Sequence, residues 1–226
     1  MIFKEVVFRG VEVVELEEIA ELIRLSKEYN EKVESVLRPP AIELKPYKSR
    51  EVTLFSGEKM LIRQAERRDI PRIADFIRPL ITLERDYYDI VGTRTYGELL
   101  GWKYQRYRNI WFIVGEVEGK IVGVADGRLY NEKIGISLHT IADPNLPGTG
   151  IGAHLAAAKW EHFFEYLGVE EVWITAESPR GLNDILKWKP KVRTDVQHEL
   201  GGGTVYVITR ERYEERKADR KRRLGW

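Results

Sequence analysis

Residues 134–168 read IGISLHTIADPNLPGTGIGAHLAAAKWEHFFEYLG, and three kinds of local chemistry follow one another there. Ile134 to Asp143 is an apolar, β-branched run of strand character. Pro144 to Gly152 is a tight loop with glycines at the alternate positions 148, 150 and 152. From Ala153 a helix runs to Gly168, with Ala156, Trp160, Phe163 and Leu167 spaced as a core-facing stripe. The glycines free the backbone of Cβ atoms where a strand turns directly into a helix. Such a turn aims unpaired N–H groups and the positive helix end at whatever sits above them, and phosphate suits that geometry. A Walker-type loop needs Gly-Lys-Ser/Thr, and no lysine follows. The dinucleotide fingerprint needs a third glycine three residues on, early in a parallel βαβ unit, and that context is also missing.

Working outward, Ile110 to Val117, the turn Glu118-Gly119-Lys120 and Ile121 to Leu129 form a β-hairpin. Tyr130 to Lys133 then turns into the strand that starts at Ile134. Val169 to Ala176 is a further strand, parallel to Ile134–Asp143 because a full helical crossover joins them. Upstream, Met60 to Arg63 is a strand, and Asp69, placed to cap, with Pro71 begins a helix through Ile73, Ala74, Ile77 and Leu80. Leu83 to Tyr107 is a second helical region, interrupted by Gly92, Gly97 and Gly101. Downstream come a last helix, Ser178 to Lys189, and strands Val192–Leu200 and Thr204–Arg210. The fold class is α/β, a mixed and mostly antiparallel central sheet flanked by helices.

The strand, the run Pro147-Gly148-Thr149-Gly150-Ile151-Gly152 and the helix from Ala153, in this order of elements, resemble the GCN5-related N-acetyltransferases (GNAT superfamily) over about residues 59–212. The pyrophosphate loop of that family reads Arg/Gln-x-x-Gly-x-Gly/Ala; Gly150 and Gly152 match, and Pro147 stands where Arg or Gln is usual. Proline has neither a side-chain donor nor an N–H, which leaves the donors from Gly148, Thr149, Gly150, Ile151, Gly152 and Ala153. The resemblance implies acetyl-CoA as co-substrate and direct transfer in a ternary complex. It also implies that the two parallel strands splay to take the pantetheine arm, against the backbone of Thr140, Ile141 and Ala142. Asn183 matches the family asparagine that touches the coenzyme, but the residue six positions on is Lys189 rather than tyrosine, so no general acid is assigned.

The catalytic base stays open. The family positions for one on the central strand correspond to Ile136 and Leu138, both apolar. His139 falls on the opposite face by strand alternation, which makes it a packed or coenzyme-side histidine. Glu177, Glu116 and Asp126 are further candidates, and attack by an amine already unprotonated needs no base. The cluster Glu84 to Asp89 lies where the family places its acceptor-binding segment, with Tyr87 and Tyr88 as substrate-binding residues. A small amine or a protein amino group fits such an acidic and aromatic wall.

The 226 residues carry a formal net charge of +1 with 32% charged residues, so the global charge selects no partner. The absence of cysteine excludes disulfides, thiol nucleophiles and cysteine metal sites. His154 and His162 stand too far apart on one helix to chelate without a third ligand, so no metal is assigned. No long apolar run suggests a membrane span, and the chain reads as soluble and cytoplasmic. Three regions are expected: an N-terminal extension, 1–57, holding a strand or hairpin, an amphipathic helix with a stripe suited to a homodimer or to the main domain, and an extended segment from Ala41 to Ser56; the acetyltransferase-like domain, 58–212; and a basic tail, 213–226. The tail reads as a solvated helical terminus, or else as a nucleic-acid contact. The alternative to an enzyme is a non-catalytic module of the same fold that binds coenzyme or nucleotide and acts through a partner.

Overall fold

The computed structural model describes residues 16–37, 41–176, 178–195 and 204–225. The expected strand at 3–15, Glu177 and the turn joining the last two strands lie outside the described residues. The chain divides into two units, Met1–Pro39 and Pro40–Trp226. In the first, helix α1 (Leu16–Leu37) carries Ile19, Leu22, Ile23 and Tyr29 as an exposed apolar stripe, and Arg24 meets Glu28 at 2.6 Å. The division falls earlier than the boundary expected at 57, because residues 50–53 are a strand of the main sheet.

In the second unit, eight strands form one sheet in the order β1-β2-β3-β4-β5-β6-β8-β7. They are β1 (Arg50–Thr53), β2 (Lys59–Gln64), β3 (Ile110–Val117), β4 (Lys120–Leu129), β5 (Ile134–Ala142), β6 (Glu171–Ile174), β7 (Lys191–Arg193) and β8 (Val205–Thr209). Every neighbouring pair is antiparallel except β5 and β6. Helix α4 (Ile151–Glu161) makes that parallel crossover, as the alternation of strand and helix requires.

Two apolar layers cover the sheet. On one face, Ile70, Ile73 and Ile77 of α2 (Ile70–Ile77) and Val91 and Leu99 of α3 (Asp86–Lys103) pack on Phe112, Val114, Val124, Ile136, Leu138 and Ile141. On the other, α4 sets Ile151, Leu155 and Ala158 against Met60, Ile62, Trp111 and Ile113. Helix α3 runs unbroken through Gly92, Gly97 and Gly101, contrary to the expected interruptions. Asp69 does not cap α2 through its side chain; its carboxylate accepts from the Glu66 N–H at 2.8 Å and from Arg63 at 2.7 Å.

Beyond α4 the backbone widens into a π-type turn, His162–Tyr166. A Cβ at Gly127 or Gly135 would lie 2.5 Å from the Phe163 ring, so these two glycines let that turn close onto the sheet. The expected single stripe on α4 is a nearly all-round burial instead. The cause is a further helix, α6 (Arg210–Leu224), which covers the side of α4 away from the sheet.

That helix is the basic tail, and it is docked rather than solvated. Tyr213 is buried, stacks on Phe164 at 4.7 Å and donates its hydroxyl to Glu165. Lys217 reaches Glu165 at 3.0 Å, and Arg216 and Arg220 each lie 5.0 Å from the ring centre of Trp188. Arg216, Lys217 and Arg220, which sequence alone assigns to solvent or to phosphate, are engaged with the domain itself, while Arg222 and Arg223 are exposed. Trp188 in turn packs on Trp160 and closes α5 (Pro179–Leu186), whose N-terminus is capped by Ser178 accepting from the Gly181 N–H at 3.0 Å.

Candidate active site

The turn from β5 into α4 is built by its own side chains. The Asp143 carboxylate accepts from the Asn145 N–H at 2.8 Å, its carbonyl accepts from Leu146 N–H at 3.1 Å, and the Thr149 hydroxyl donates to Leu146 O at 2.8 Å. Gly148 and Gly150 take φ of +77° and +89°, conformations that side chains resist. Gly150 is the N-cap, and the first helical bond runs from His154 N–H to Gly150 O at 3.0 Å. The N–H groups of Ile151, Gly152 and Ala153 precede that bond, so the helix supplies them no partner. Helix α4 begins at Ile151, two residues before the expected start, which places Gly152 inside its first turn.

Phe55, from the turn between β1 and β2, fastens the loop. Its N–H donates to Thr149 O at 2.9 Å, and its exposed ring lies where a Gly150 side chain would begin. Pro147, Gly148 and Ala153 are exposed, and Gly152 is half-buried.

Beside this turn the sheet opens. β5 and β6 pair only at Ile134↔Glu171, Gly135↔Val172 and Ile136↔Trp173, whereas β5 continues to Ala142. The stretch from Thr140 to Ala142 therefore keeps β4 as its neighbour on one side and runs beyond its β6 pairing on the other. The Tyr87 hydroxyl stands 3.5 Å from Thr140 O, a long contact, and packs edge-on to Tyr88 at 5.4 Å. Tyr87 and Tyr88 are half-buried on the α3 side. The acidic part of their cluster is partly structural: Asp89 accepts backbone N–H groups from Thr82, Leu83 and Arg85 at 2.7–2.8 Å, which tie down the start of α3. Asn183 is exposed on α5.

His139 is not on the face that alternation assigns to it. The ladder between β4 and β5 runs Gly127↔Ser137 and then Ala125↔Thr140, so Leu138 and His139 together oppose Asp126. This bulge turns the imidazole toward α3, where Nε2 lies 3.3 Å from Glu98 Oε1. The backbone of His139 is held by side chains. Its N–H donates to Asp126 Oδ1 at 2.9 Å and its carbonyl accepts from Lys159 Nζ at 3.0 Å.

Glu98, Asp126, His139 and Lys159 are all buried. Burial pushes the Glu98 carboxyl up to about 7, with Asp126 and Lys159 pulling the other way. Burial and the Glu98 charge both push Asp126 above the usual carboxylate range. Two acids facing each other without water favour holding a proton between them. Burial lowers Lys159 to about 8 against the pull of both acids.

Glu116, a base candidate by sequence, is engaged elsewhere. Arg63 meets it at 2.9 Å and Arg72 at 2.7 Å, and these guanidinium groups outweigh burial and lower its pKa. Glu177 lies outside the described residues. Sequence reading missed Glu98, Lys159 and Phe55. For Lys159 a signal existed, a lone cation among Ala157, Ala158 and Trp160. Phe55 carried none, because its role depends on a turn distant in the chain. Among the described residues no group of three or more His, Asp or Glu side chains is placed to hold a metal, and no helix is long and apolar enough to cross a membrane.

Residues 77–182 match the family model described as acetyltransferase (GNAT) family. No curated protein matches the chain. Among solved structures, an uncharacterised protein from Bacillus halodurans is similar at 13% identity and a TM-score of 0.55, over 79% of this chain and 99% of that one. Mycobacterium smegmatis RimJ, solved in complex with CoA-disulfide, is similar at 14% identity and 0.55, over 78% and 94%. FdhC, described as a nucleotide-linked sugar GNAT, is similar at 13% identity and 0.52, over 82% and 99%. At such identities the likeness is one of fold.

Proposed function

Because this chain carries a domain of the acetyltransferase (GNAT) family, we propose that it moves an acetyl group from acetyl-CoA to an amine by direct transfer within a ternary complex. The observation that carries the reading is the opening between β5 and β6 directly beside the glycine turn. Ala142, the end of the strand edge, and Gly152, in the first turn of α4, are neighbours: a Cβ on Gly152 would sit 3.7 Å from the Ala142 Cβ. A ligand with an anionic diphosphate and an amide-bearing arm finds both complements within one short span.

In this reading the N–H groups of Gly148, Thr149, Gly150, Ile151, Gly152 and Ala153 face the diphosphate. The Thr149 side chain, turned to Leu146 O, contributes only its backbone. Pro147 gives no donor, so the backbone N–H groups of the turn and the helix terminus carry the charge without a side chain. The backbone of Thr140, Ile141 and Ala142 pairs with the pantetheine amides, and an N–H of this edge polarises the thioester carbonyl. The acceptor nitrogen bonds to the carbonyl carbon, the carbon–sulfur bond breaks to release the coenzyme as its thiolate, and the proton lost from nitrogen is balanced by one taken up at that sulfur from solvent, giving amide and free thiol. Tyr87 and Tyr88 wall the acceptor side. Asn183, exposed on α5, is assigned to the coenzyme in the same reading.

The acceptor in this reading is an amine, free or on a protein. The test is release of the coenzyme thiol in the presence of a panel of polyamines, amino acids and N-terminal peptides. Amine-dependent release with stoichiometric acetylation supports the reading. Tight coenzyme binding with no release across the panel favours the non-catalytic module.

A further inference from the structure

We propose that Asp126 and Lys159 are positioning residues that set the phase of β5 at the coenzyme edge, by holding the backbone of His139 between two buried side chains. The proposal rests on the acetyltransferase reading for its functional consequence, while its structural premise stands on the strand itself.

Side chains on β5 should alternate between the two faces. Ile136 and Leu138 do point to the α2–α3 layer, but so does Ile141, three residues on, and Ala142 faces the α4 layer. The phase changes at the bulge opposite Asp126. With unbroken alternation, Ala142 would share a face with Ile136 and Leu138, turned from α4. The bulge is therefore what lays the end of β5 against Gly152 and presents Thr140 to Ala142 to the opening.

A bulge leaves backbone groups without ladder partners, and buried ones are costly unless met. Here Asp126 Oδ1 takes the His139 N–H and Lys159 Nζ donates to its carbonyl. Asp126 comes from β4 and Lys159 from α4, so two elements clamp one residue from separate directions. Both side chains are buried, at 0% and 4% relative exposure, which is an expensive place for ionisable groups. The groups facing the clamp are Glu98 and the His139 ring, with Arg94 and Arg128 as more distant charges acting on Glu98. Glu98, as an acid beside an acid, keeps a proton in the cluster and so limits the net charge the interior must carry.

The test compares Asp126→Leu with Asp126→Asn, since asparagine keeps an oxygen that can accept from the His139 N–H while losing the charge. Lys159→Met is the second arm, should Asp126→Leu not fold. Two readouts apply to folded protein: the dissociation constant of coenzyme A by calorimetry, and hydrogen exchange of peptides spanning 136–142 without ligand. Asp126→Leu and Lys159→Met are expected to weaken coenzyme binding by about tenfold or more, the scale of one buried hydrogen bond left unmade, and to speed exchange in that segment. Asp126→Asn is expected to stay within about threefold of wild type. Equal weakening in Asn and Leu variants would assign the effect to charge and overturn the proposal. So would wild-type affinity with wild-type exchange in Asp126→Leu, which leaves the acetyltransferase reading standing. Wild-type protein that binds no coenzyme A at millimolar concentration overturns that reading and removes the positioning role with it.

Discussion

Two clusters of ionisable side chains are packed into this domain, and they are wired in opposite ways. Between β2, β3 and α2, Arg63 forks onto Asp69 at 2.7 Å and Glu116 at 2.9 Å, with Arg72 closing the set. Each acid there has a guanidinium partner. Hydrogen bonding by Arg63 holds Asp69 down at about 2, and the arginines keep Glu116 low despite burial. Between α3, β4, β5 and α4, Glu98 faces Asp126 and His139, and the cation that reaches into the cluster from α4, Lys159, is committed to a backbone carbonyl, with Arg94 and Arg128 acting on Glu98 from farther away. Here the acids go up rather than down. Matched charges fasten the rim of the sheet, whereas mismatched ones sit next to the strand that the proposed chemistry would use.

The largest effect should come from unpairing the matched set. Arg63→Met leaves two buried carboxylates with only Arg72 between them, and a loss of about 3 kcal/mol or more is expected in urea unfolding at neutral pH. Coenzyme affinity of the folded variant should be unchanged. A variant as stable as wild type would mean the network is ornamental, and the contrast would collapse.

The mismatched set should show itself in the pH dependence of stability. Glu98 is raised in the folded state from 4.5 to about 7. Between those values the native protein holds a proton that the unfolded chain has released, so stability falls as pH rises through this window. Glu98→Gln should flatten that limb and leave the protein about 2 kcal/mol more stable than wild type at pH 8. Asp69 has the opposite sign: its stabilisation is present above pH 4 and is lost as pH falls toward 2. Unfolding measured from pH 3 to 9 separates the two limbs; Asp126, also raised by burial, keeps part of the alkaline limb, and a limb as steep in Glu98→Gln as in wild type would contradict the assignment.

The smallest effect belongs to the surface. Lys221 lies 3.9 Å from Glu161 and Glu165 and is itself partly exposed. Lys221→Ala should change stability by about 0.5 kcal/mol or less. A larger loss would make the docking of α6 electrostatic rather than aromatic.

What the residues disclosed in advance, and what they did not, follows the same division. The hairpin, the parallel crossover and the strand–loop–helix around Gly150 are local signals, carried by period, turn chemistry and glycine, and the structure repeats them nearly to the residue. His139 was misplaced because alternation assumes an unbroken ladder, and a bulge held by Asp126 from another strand leaves no mark on β5 itself. The tail misled in a related way. Arg216, Lys217, Arg220 and Lys221 look like a solvated run, yet their partners Trp188, Glu161 and Glu165 come from elements distant in sequence. Phe55 escaped notice for the same reason. Local chemistry was legible, while side chains that serve another element's backbone were not.

The account turns on whether the first turn of α4 holds a diphosphate, and Gly152→Asp asks this directly. Gly152 has ordinary backbone geometry, and its Cβ would meet only Ala142 at van der Waals distance. An acid in the first helical turn should hold or slightly raise stability, by about 0.3–1 kcal/mol. The same carboxylate repels a bound diphosphate. Calorimetric titration with acetyl-CoA should therefore show binding to wild type and at least about tenfold weaker binding to an equally stable Gly152→Asp, a difference of about 1.4 kcal/mol. Equal affinity in the two proteins would place the coenzyme elsewhere and contradict the account at its centre.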